Sequence, residues 1–212
     1  MRVAILTSPN QWFLPYAKIL TKKIEGSELF NDHRHIGSDF EIVFILGYHQ
    51  IIGEHYLEIH KHNLVVHESN LPKGKGWSPM FWQILEGKSE IPFTLFEASN
   101  GVDDGNIYMQ KTLELTGYEL HDELRNKQAY FNMGMCADFI ENYTKYQPIK
   151  QKGKETFYKK RTSKDSELDI NRSIKDQFNL LRIVSNDHYP AFFEIGGKKY
   201  TLKVDEVENE TR

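Results

Sequence analysis

Three short runs of β-branched and aromatic residues, Val3–Thr7, Phe40–Leu46 and Asn63–His67, most restrict what this chain can fold into. Each is almost continuously apolar, the pattern of a strand covered on both faces. Helical spacing separates them: Phe13, Tyr16, Ala17, Leu20 and Ile24 mark a helix over Phe13–Ile24, and a short helix is expected over Glu54–His60. Two buried strands joined through a helix imply a right-handed parallel crossover. Functional groups in such sheets collect beyond the carboxyl ends of the strands. Between the first helix and the second strand, Gly26–Asp39 is polar and rich in turn formers, and reads as a loop with at most one short strand.

Downstream, the loop Leu71–Ser78 precedes a helix over Pro79–Glu86, then strands over Phe93–Glu97 and about Asn106–Leu113. A long helix is predicted from Gly117 to Tyr143, with Leu120, Leu124, Phe131, Met135, Phe139 and Ile140 on one broad face. Lys145–Glu167 turns polar and basic and reads either as a solvated linker or as an arm lying over the main body. Next come a helix over Ile170–Val184, with Ile174, Phe178, Leu181 and Ile183 as its buried stripe, and a hairpin, Ala191–Ile195 and Lys199–Val204, around Gly196-Gly197. The tail Asp205–Arg212 is acidic and expected to fray. The fold class is therefore α/β, a Rossmann-like, mostly parallel sheet with flanking helices. A main domain over residues 1–148 carries a linker, helix and β-hairpin extension over 149–212.

With 212 residues and one cysteine, Cys136, the chain has enough length for a real core and cannot form an internal disulfide. No apolar run is long enough to span a bilayer, and Met1 leads straight into a strand without an export signal. A cytoplasmic protein that does not engage the membrane is the expectation. The formal net charge of -3 weighs against broad nucleic-acid binding. The Lys73–Gly76 run lacks the context and the terminal Lys-Ser/Thr of a nucleoside-triphosphate loop, and no GxGxxG occurs. His33/His35 and His60/His62 lack a third ligand at a telling spacing, so no metal site is expected.

The chemistry concentrates between His67 and Asp103. A histidine at a strand end and a carboxylate in a turn are what acyl transfer uses, a base for the nucleophile and an acid to orient it. Taken alone, His67 reads first as a core histidine closing a strand. The segment HESNLPKGKGWSPMFWQILEGKSEIPFTLFEASNGVDDGNI resembles the signature of the folate-dependent formyltransferases. His67, Ser69, Leu71, Pro72, Gly76, Pro79, Trp82, Gly87, Thr94, Asp103, Gly105 and Ile107 stand at its positions.

That resemblance implies 10-formyltetrahydrofolate as co-substrate, His67 as the group that takes the amine proton, and Asp103 as the acid that keeps the imidazole oriented and charged. It implies pterin contacts from Tyr48, His49, Gln50, Ile51 and Ile52, with Phe81, Glu97, Ala98 and Val102 closing the pocket. Asp104 falls outside the motif and is expected to be solvated. Acceptor contacts are implied for Ser8, Asn10, Trp12, Ser69, Lys75, Arg161 and Arg182, the last equally readable as a structural tie. Where the family has an oxyanion-donating asparagine, this chain has Val65. Asn63 lies on the same strand face, about 7 Å further back. Losing such a donor typically costs roughly 3 kcal/mol. Ser69, Asn100 or Asn106 are the alternative donors, or the local register differs.

The tail, with Arg161, Asp165, Ser166, Asn179, Arg182, Tyr189, Pro190 and Phe193, resembles that of methionyl-tRNA formyltransferase and sugar-nucleotide N-formyltransferases. The compact length favours the sugar branch. The expected acceptor is therefore a UDP- or dTDP-linked amino-deoxy sugar used for a surface glycan such as O-antigen, acted on by a homodimer. Hydrolysis of 10-formyltetrahydrofolate, or weakly catalytic binding, are the alternatives.

Overall fold

The computed structural model describes residues 1–207, so the expected fraying of the tail lies, from position 208 onward, outside the described residues. In chain order the elements are β1 (Val3–Leu6), α1 (Leu14–Lys23), β2 (Ser27–Phe30), β3 (Ile42–Ile45), α2 (Glu54–Leu57), β4 (His62–His67), β5 (Lys75–Gly76) and α3 (Pro79–Leu85). Then come β6 (Glu90–Glu97), β7 (Ile107–Glu114), α4 (His121–Glu141), β8 (Phe157–Tyr158), α5 (Phe178–Ile183), β9 (Ala191–Ile195) and β10 (Lys198–Leu202).

Six strands make the central sheet in the order β2-β1-β3-β4-β6-β7. The first four are parallel, whereas β6 and β7 continue antiparallel. Alternation divides their side chains between two layers. Val3, Ile5, Ile42, Phe44, Leu64 and Val66 pack beneath α1 and α4, with Leu124, Met135 and Phe139 of α4. Ala4, Leu6 and Val43 pack on the other face with Ile36 and Phe40. By register Asn63 lies beside Val43, so Asn63, Val65 and His67 share that second face. Each fully buried Phe or Leu contributes roughly 1.5–3 kcal/mol, enough to fix β4, and with it His67, against slippage.

Ser27–Phe30 is the one short strand allowed for within Gly26–Asp39, an edge strand in register with β1 (Val3 opposite Ser27). Its only half-buried residues leave no apolar pattern to read. Several expectations need correction. The helix expected over Ile170–Val184 shrinks to a 3-10 turn at Lys175–Gln177 and the six residues of α5. Gln177 donates to the carbonyls of Asp169 and Arg172, and Ser173 and Asp176 bond each other, so side chains take the backbone's place. Ile174 is consequently 64% exposed instead of buried. The expected helix Glu54–His60 is a single turn.

Leu181, Ile183, Val184 and Ala191 join the same core as the sheet. The hairpin turns at Gly196-Gly197, both with positive φ (58° and 73°), as a two-residue hairpin turn requires. Among the described residues no helix is long and apolar enough to cross a membrane.

Arg182, 1% exposed, is anchored by Glu119, accepting at its main-chain oxygen (3.3 Å) and at Oε2 (3.2 Å), and by Asn179 (3.0 Å). Glu119 also accepts from Lys127 (2.6 Å) and from the amides of Thr116 (2.7 Å) and Gly117 (3.1 Å). Burial alone would raise its pKa, but the Lys127 ammonium and these amides outweigh it and bring the carboxyl down to about 2. A depressed folded-state pKa gives stability that is present above the ordinary value of 4.5 and is lost as pH falls toward about 2. Glu119→Gln should therefore destabilise the protein near neutrality by about 3–5 kcal/mol, because Arg182 is left buried and uncompensated. It should also flatten the loss of stability across that acid window, as thermal unfolding at stepped pH will show.

Candidate active site

The antiparallel register decides how His67 meets its carboxylate. Ala98 N donates to Asn63 O (2.6 Å), so the 98–106 turn leaves the sheet beside Asn63, near the start of β4. It then folds back, and Asp103 Oδ2 comes to 3.6 Å from His67 Nε2. Asp103 holds a left-handed φ of 49°, and Gly105 lies so close to the Glu97 carbonyl that a Cβ would stand 1.6 Å from its oxygen. Only glycine fits there.

His67 is 7% exposed, and its Nε2 also sits 2.9 Å from Gly74 O. A carbonyl only accepts, so Nε2 carries the hydrogen and Nδ1 is the basic nitrogen. The loop that supplies Gly74 also supplies Gly76 N, which donates to Asp103 Oδ2 (2.8 Å). One backbone turn thus touches both members of the pair.

The basic segment after α4 is an arm, not a solvated connection. Ile149 bridges Ile107, and β8 pairs in parallel with β5. Gln151 Nε2 donates to the carbonyls of Asp103 and Gly105 (both 2.8 Å). Thr156 accepts from Gly74 N at Oγ1 (2.8 Å) and from Lys75 N at its main-chain oxygen (2.9 Å). None of these residues was foreseen; the aromatic pair Phe157-Tyr158 within a basic run is the one sequence signal that pointed to packing there.

Of the expected pterin segment, Gly47–Gly53 follows β3 as an open loop. Gln50 is exposed, Ile51 is 94% exposed, and Ile52 and Tyr48 are half-buried. The Tyr48 hydroxyl meets His33 Nδ1 (2.8 Å), and His49 N donates to Ser8 Oγ (3.2 Å). Ser8 is buried and Asn10, with φ 61°, is exposed. On the facing turn Val102 is exposed. The Glu97 carboxylate is instead taken up by His62 Nδ1 (3.1 Å), the Tyr108 hydroxyl (3.0 Å) and the Asn63 amide. Burial, then Glu97, pushes the Tyr108 pKa well up.

Other placements are corrections. Asn63 is 1% exposed and its amide donates to Leu57 O (2.8 Å), so it is no oxyanion donor. Phe81, expected to close the pterin pocket, is 3% exposed in the core and stacks on His121. Lys75, expected at a substrate phosphate, is 1% exposed and binds Asp104 Oδ1 and Glu155 Oε1, each at 2.8 Å. Asp104 is therefore paired rather than merely solvated. Burial alone would lower the Lys75 pKa, but the two carboxylates raise it above the ordinary value and keep the ammonium charged. Arg182 is the structural tie described above. Ser69 is buried against Gly74, its hydroxyl without a partner among the described residues.

Arg161 lies elsewhere, in a cationic cluster. Its Nη2 donates to Asp165 O (3.1 Å), and its buried Nε has no partner among the described residues. Burial, with Arg125 nearby, lowers its pKa. The Arg125 guanidinium is clamped between Trp12 and Phe81, 4.4 Å from each ring, and its buried Nε is likewise unpartnered. Arg125 donates to Gln128 (3.0 Å), which donates to Glu68 (2.7 Å), the residue after His67. Trp12, Tyr16, His121, Arg125 and Asn126 line a cavity of about 670 Å³. Its carboxylates, Asp122, Glu123, Asp187, Asp205 and Glu206, are all exposed, the side chains of Asp122 and Asp187 to 96% and 81%.

Comparison with known proteins bears on the family and the fold. The family described as Formyl transferase matches residues 14–138. Methionyl-tRNA formyltransferase from Clostridium acetobutylicum is 30% identical over 161 residues, 73% of this chain and 51% of that protein. The chain spans about half the length of the curated relatives it matches. A methionyl-tRNA formyltransferase structure from Clostridium thermocellum superposes with a TM-score of 0.81 at 18% identity, over 100% of this chain and 96% of that one. A sugar N-formyltransferase from Shewanella sp FDAARGOS_354 gives 0.71 at 17% identity, over 98% and 100%. These two likenesses establish the fold. The match to the family covers more than half of the sequence, from α1 through nearly all of α4, and the chain belongs to the formyl transferase family.

Proposed function

We propose that this protein is an N-formyltransferase that moves the formyl group of 10-formyltetrahydrofolate to the amine of a nucleotide-linked amino-deoxy sugar, acting as a cytoplasmic homodimer in surface-glycan (O-antigen) synthesis. The observation that carries the activity is His67, with Nε2 held by Gly74 O at 2.9 Å and facing Asp103 at 3.6 Å. Nδ1 is then the base. As the amine nitrogen bonds to the formyl carbon, Nδ1 takes its proton, and Asp103 stabilises the imidazolium. The bond from that carbon to folate N10 breaks, and the imidazolium returns the proton to N10.

The exposed Gly47–Gly53 loop supports pterin binding through backbone groups. The cluster of Arg125, Arg161 and Trp12 supports a phosphate-bearing acceptor, because two partly desolvated guanidiniums with unpaired donors favour an anion. The relatives named for methionyl-tRNA make that amine the competing acceptor. A second reading, a weakly catalytic folate or sugar-nucleotide binder, is favoured by Val65, which puts no donor where an oxyanion forms.

Incubation with the folate donor and a panel of UDP- and dTDP-linked 3-amino and 4-amino sugars, beside methionyl-tRNA, should give a formylated sugar. Product from methionyl-tRNA alone would replace the acceptor, and tight folate binding without product or released formate would select the binder. Formate release without any amine, at a comparable rate, would point to a hydrolase. A sedimentation mass near one chain at micromolar concentration would rule out the dimer.

His67→Asn should abolish turnover. Asp103→Asn should lower kcat by about 10²-fold or more, and the double variant should be scarcely worse than His67→Asn. Folate binding should persist in all three. Near-normal turnover of His67→Asn refutes the mechanism. Arg125→Ala should raise the acceptor KM by roughly tenfold, the scale of a single charged hydrogen bond, and leave the folate KM unchanged. Equal KM values for both substrates in variant and wild type would remove the cluster from the acceptor site.

A further inference from the structure

The groups that orient His67 and Asp103 are themselves held from outside the sheet. Three consecutive residues touch the acid–base pair or its neighbour: Gly74 O lies on His67 Nε2 (2.9 Å), Lys75 Nζ on Asp104 Oδ1 (2.8 Å), and Gly76 N on Asp103 Oδ2 (2.8 Å). The arm grips this run on both sides of Gly76. Thr156 takes Gly74 N and Lys75 N, Glu155 takes Lys75 Nζ at 2.8 Å, and the Tyr158 carbonyl takes Trp77 N at 3.1 Å. From the other side Gln151 holds the carbonyls flanking the Asp103 turn.

Resting on the reading of His67 as the base, we infer that the segment Gln151–Tyr158 is a positioning element of the active site and that Lys75 is the positioning residue through which it acts. Lys75 touches neither reacting atom. Its ammonium sets Asp104, and so the adjoining Asp103, against the arm, while Thr156 sets the carbonyl that fixes the His67 tautomer.

The chemistry of Lys75 argues against a purely structural part. A buried ammonium is a poor way to stabilise a loop, since an apolar side chain of similar volume commonly does as well or better. Here the ammonium is almost wholly buried, yet Asp104 and Glu155 keep side-chain exposures of 54% and 48%. Both acids would remain hydrated if it were removed. What would be lost is the fixed distance between the Asp103 turn and the arm. Asp103 gains from such support because its left-handed φ of 49°, which Asp tolerates better than most residues, is still less favourable than ordinary backbone geometry. A misplacement near 1 Å at a reacting group costs on the order of 10²-fold in rate.

The test compares Lys75→Met, Lys75→Arg and Glu155→Gln with wild type for Tm, for kcat and both KM values, and for the His67 imidazole by ¹⁵N NMR titration. Lys75→Met should keep or raise Tm and lower kcat roughly 10- to 100-fold with both KM values within about twofold. Lys75→Arg should recover part of kcat, and Glu155→Gln should show a smaller loss in the same direction. The Nε2–H tautomer should dominate in wild type and lose that dominance in Lys75→Met. Unchanged kcat and ¹⁵N shifts in a folded Lys75→Met protein, or a rise in KM in place of a fall in kcat, would overturn the inference. If Lys75→Met fails to fold, Glu155→Gln, altered at a half-exposed site, carries the same readouts. A wild type without formyl transfer is a failure of the functional reading alone, and the NMR titration still decides whether the arm fixes the imidazole.

Discussion

Antiparallel pairing of β6 with β4 governs the geometry of the whole site. Had β6 run parallel, its following turn would have emerged at the carboxyl edge, directly beside His67. Instead the turn begins beside Asn63 and must return along the sheet, and a turn that doubles back needs support along its length. Gly105 allows the close approach to Glu97, Gly76 offers an amide, and Gln151 caps two carbonyls. The second layer of the core, built on Ala4, Leu6 and Val43, carries His67 on the same face.

Charge is distributed by depth. Within the protein, Lys75 and Arg182 are each matched by carboxylates. At Arg125 and Arg161 the cations meet aromatic rings and a backbone carbonyl instead. This contrast separates the arginine that ties α5 to Glu119 from those that keep donors for something else. The resemblance implied acceptor contacts for both Arg161 and Arg182, with Arg182 equally readable as a structural tie.

Legibility followed the periodicity of burial. β1, β3 and β4 were visible because both faces are covered, and α4 because Leu124, Met135 and Phe139 recur at helical spacing. β2 was allowed for only as one short strand within a loop and not located, since a largely half-buried edge strand has no contrast to show. His67 and Asp103 were found through the spacing of a motif, while the meaning of Lys75 required knowing that Glu155, eighty residues away, folds back on it. Asn63 misled for a related reason: strand parity placed it on the right face, and only the Leu57 carbonyl shows where its amide is spent.

The arm's dependence on main-chain contacts has a consequence for how such a segment can change over time. β8 pairs with β5 through backbone groups, and side-chain period in a strand is two. Apart from Gln151, Glu155, Thr156 and Tyr158, whose side chains make the contacts, and Gly153 with its φ of 120°, the pairing asks little of residue type, and the stretch has the composition of a linker. Its length is another matter. Between the Ile107–Ile149 bridge and the pairing of Phe157 with Lys75, one inserted or deleted residue would put either Gln151 or Glu155 and Thr156 out of phase with their partners, or bulge the chain between them. The arm works as a ruler: permissive between its anchoring residues, strict in its count.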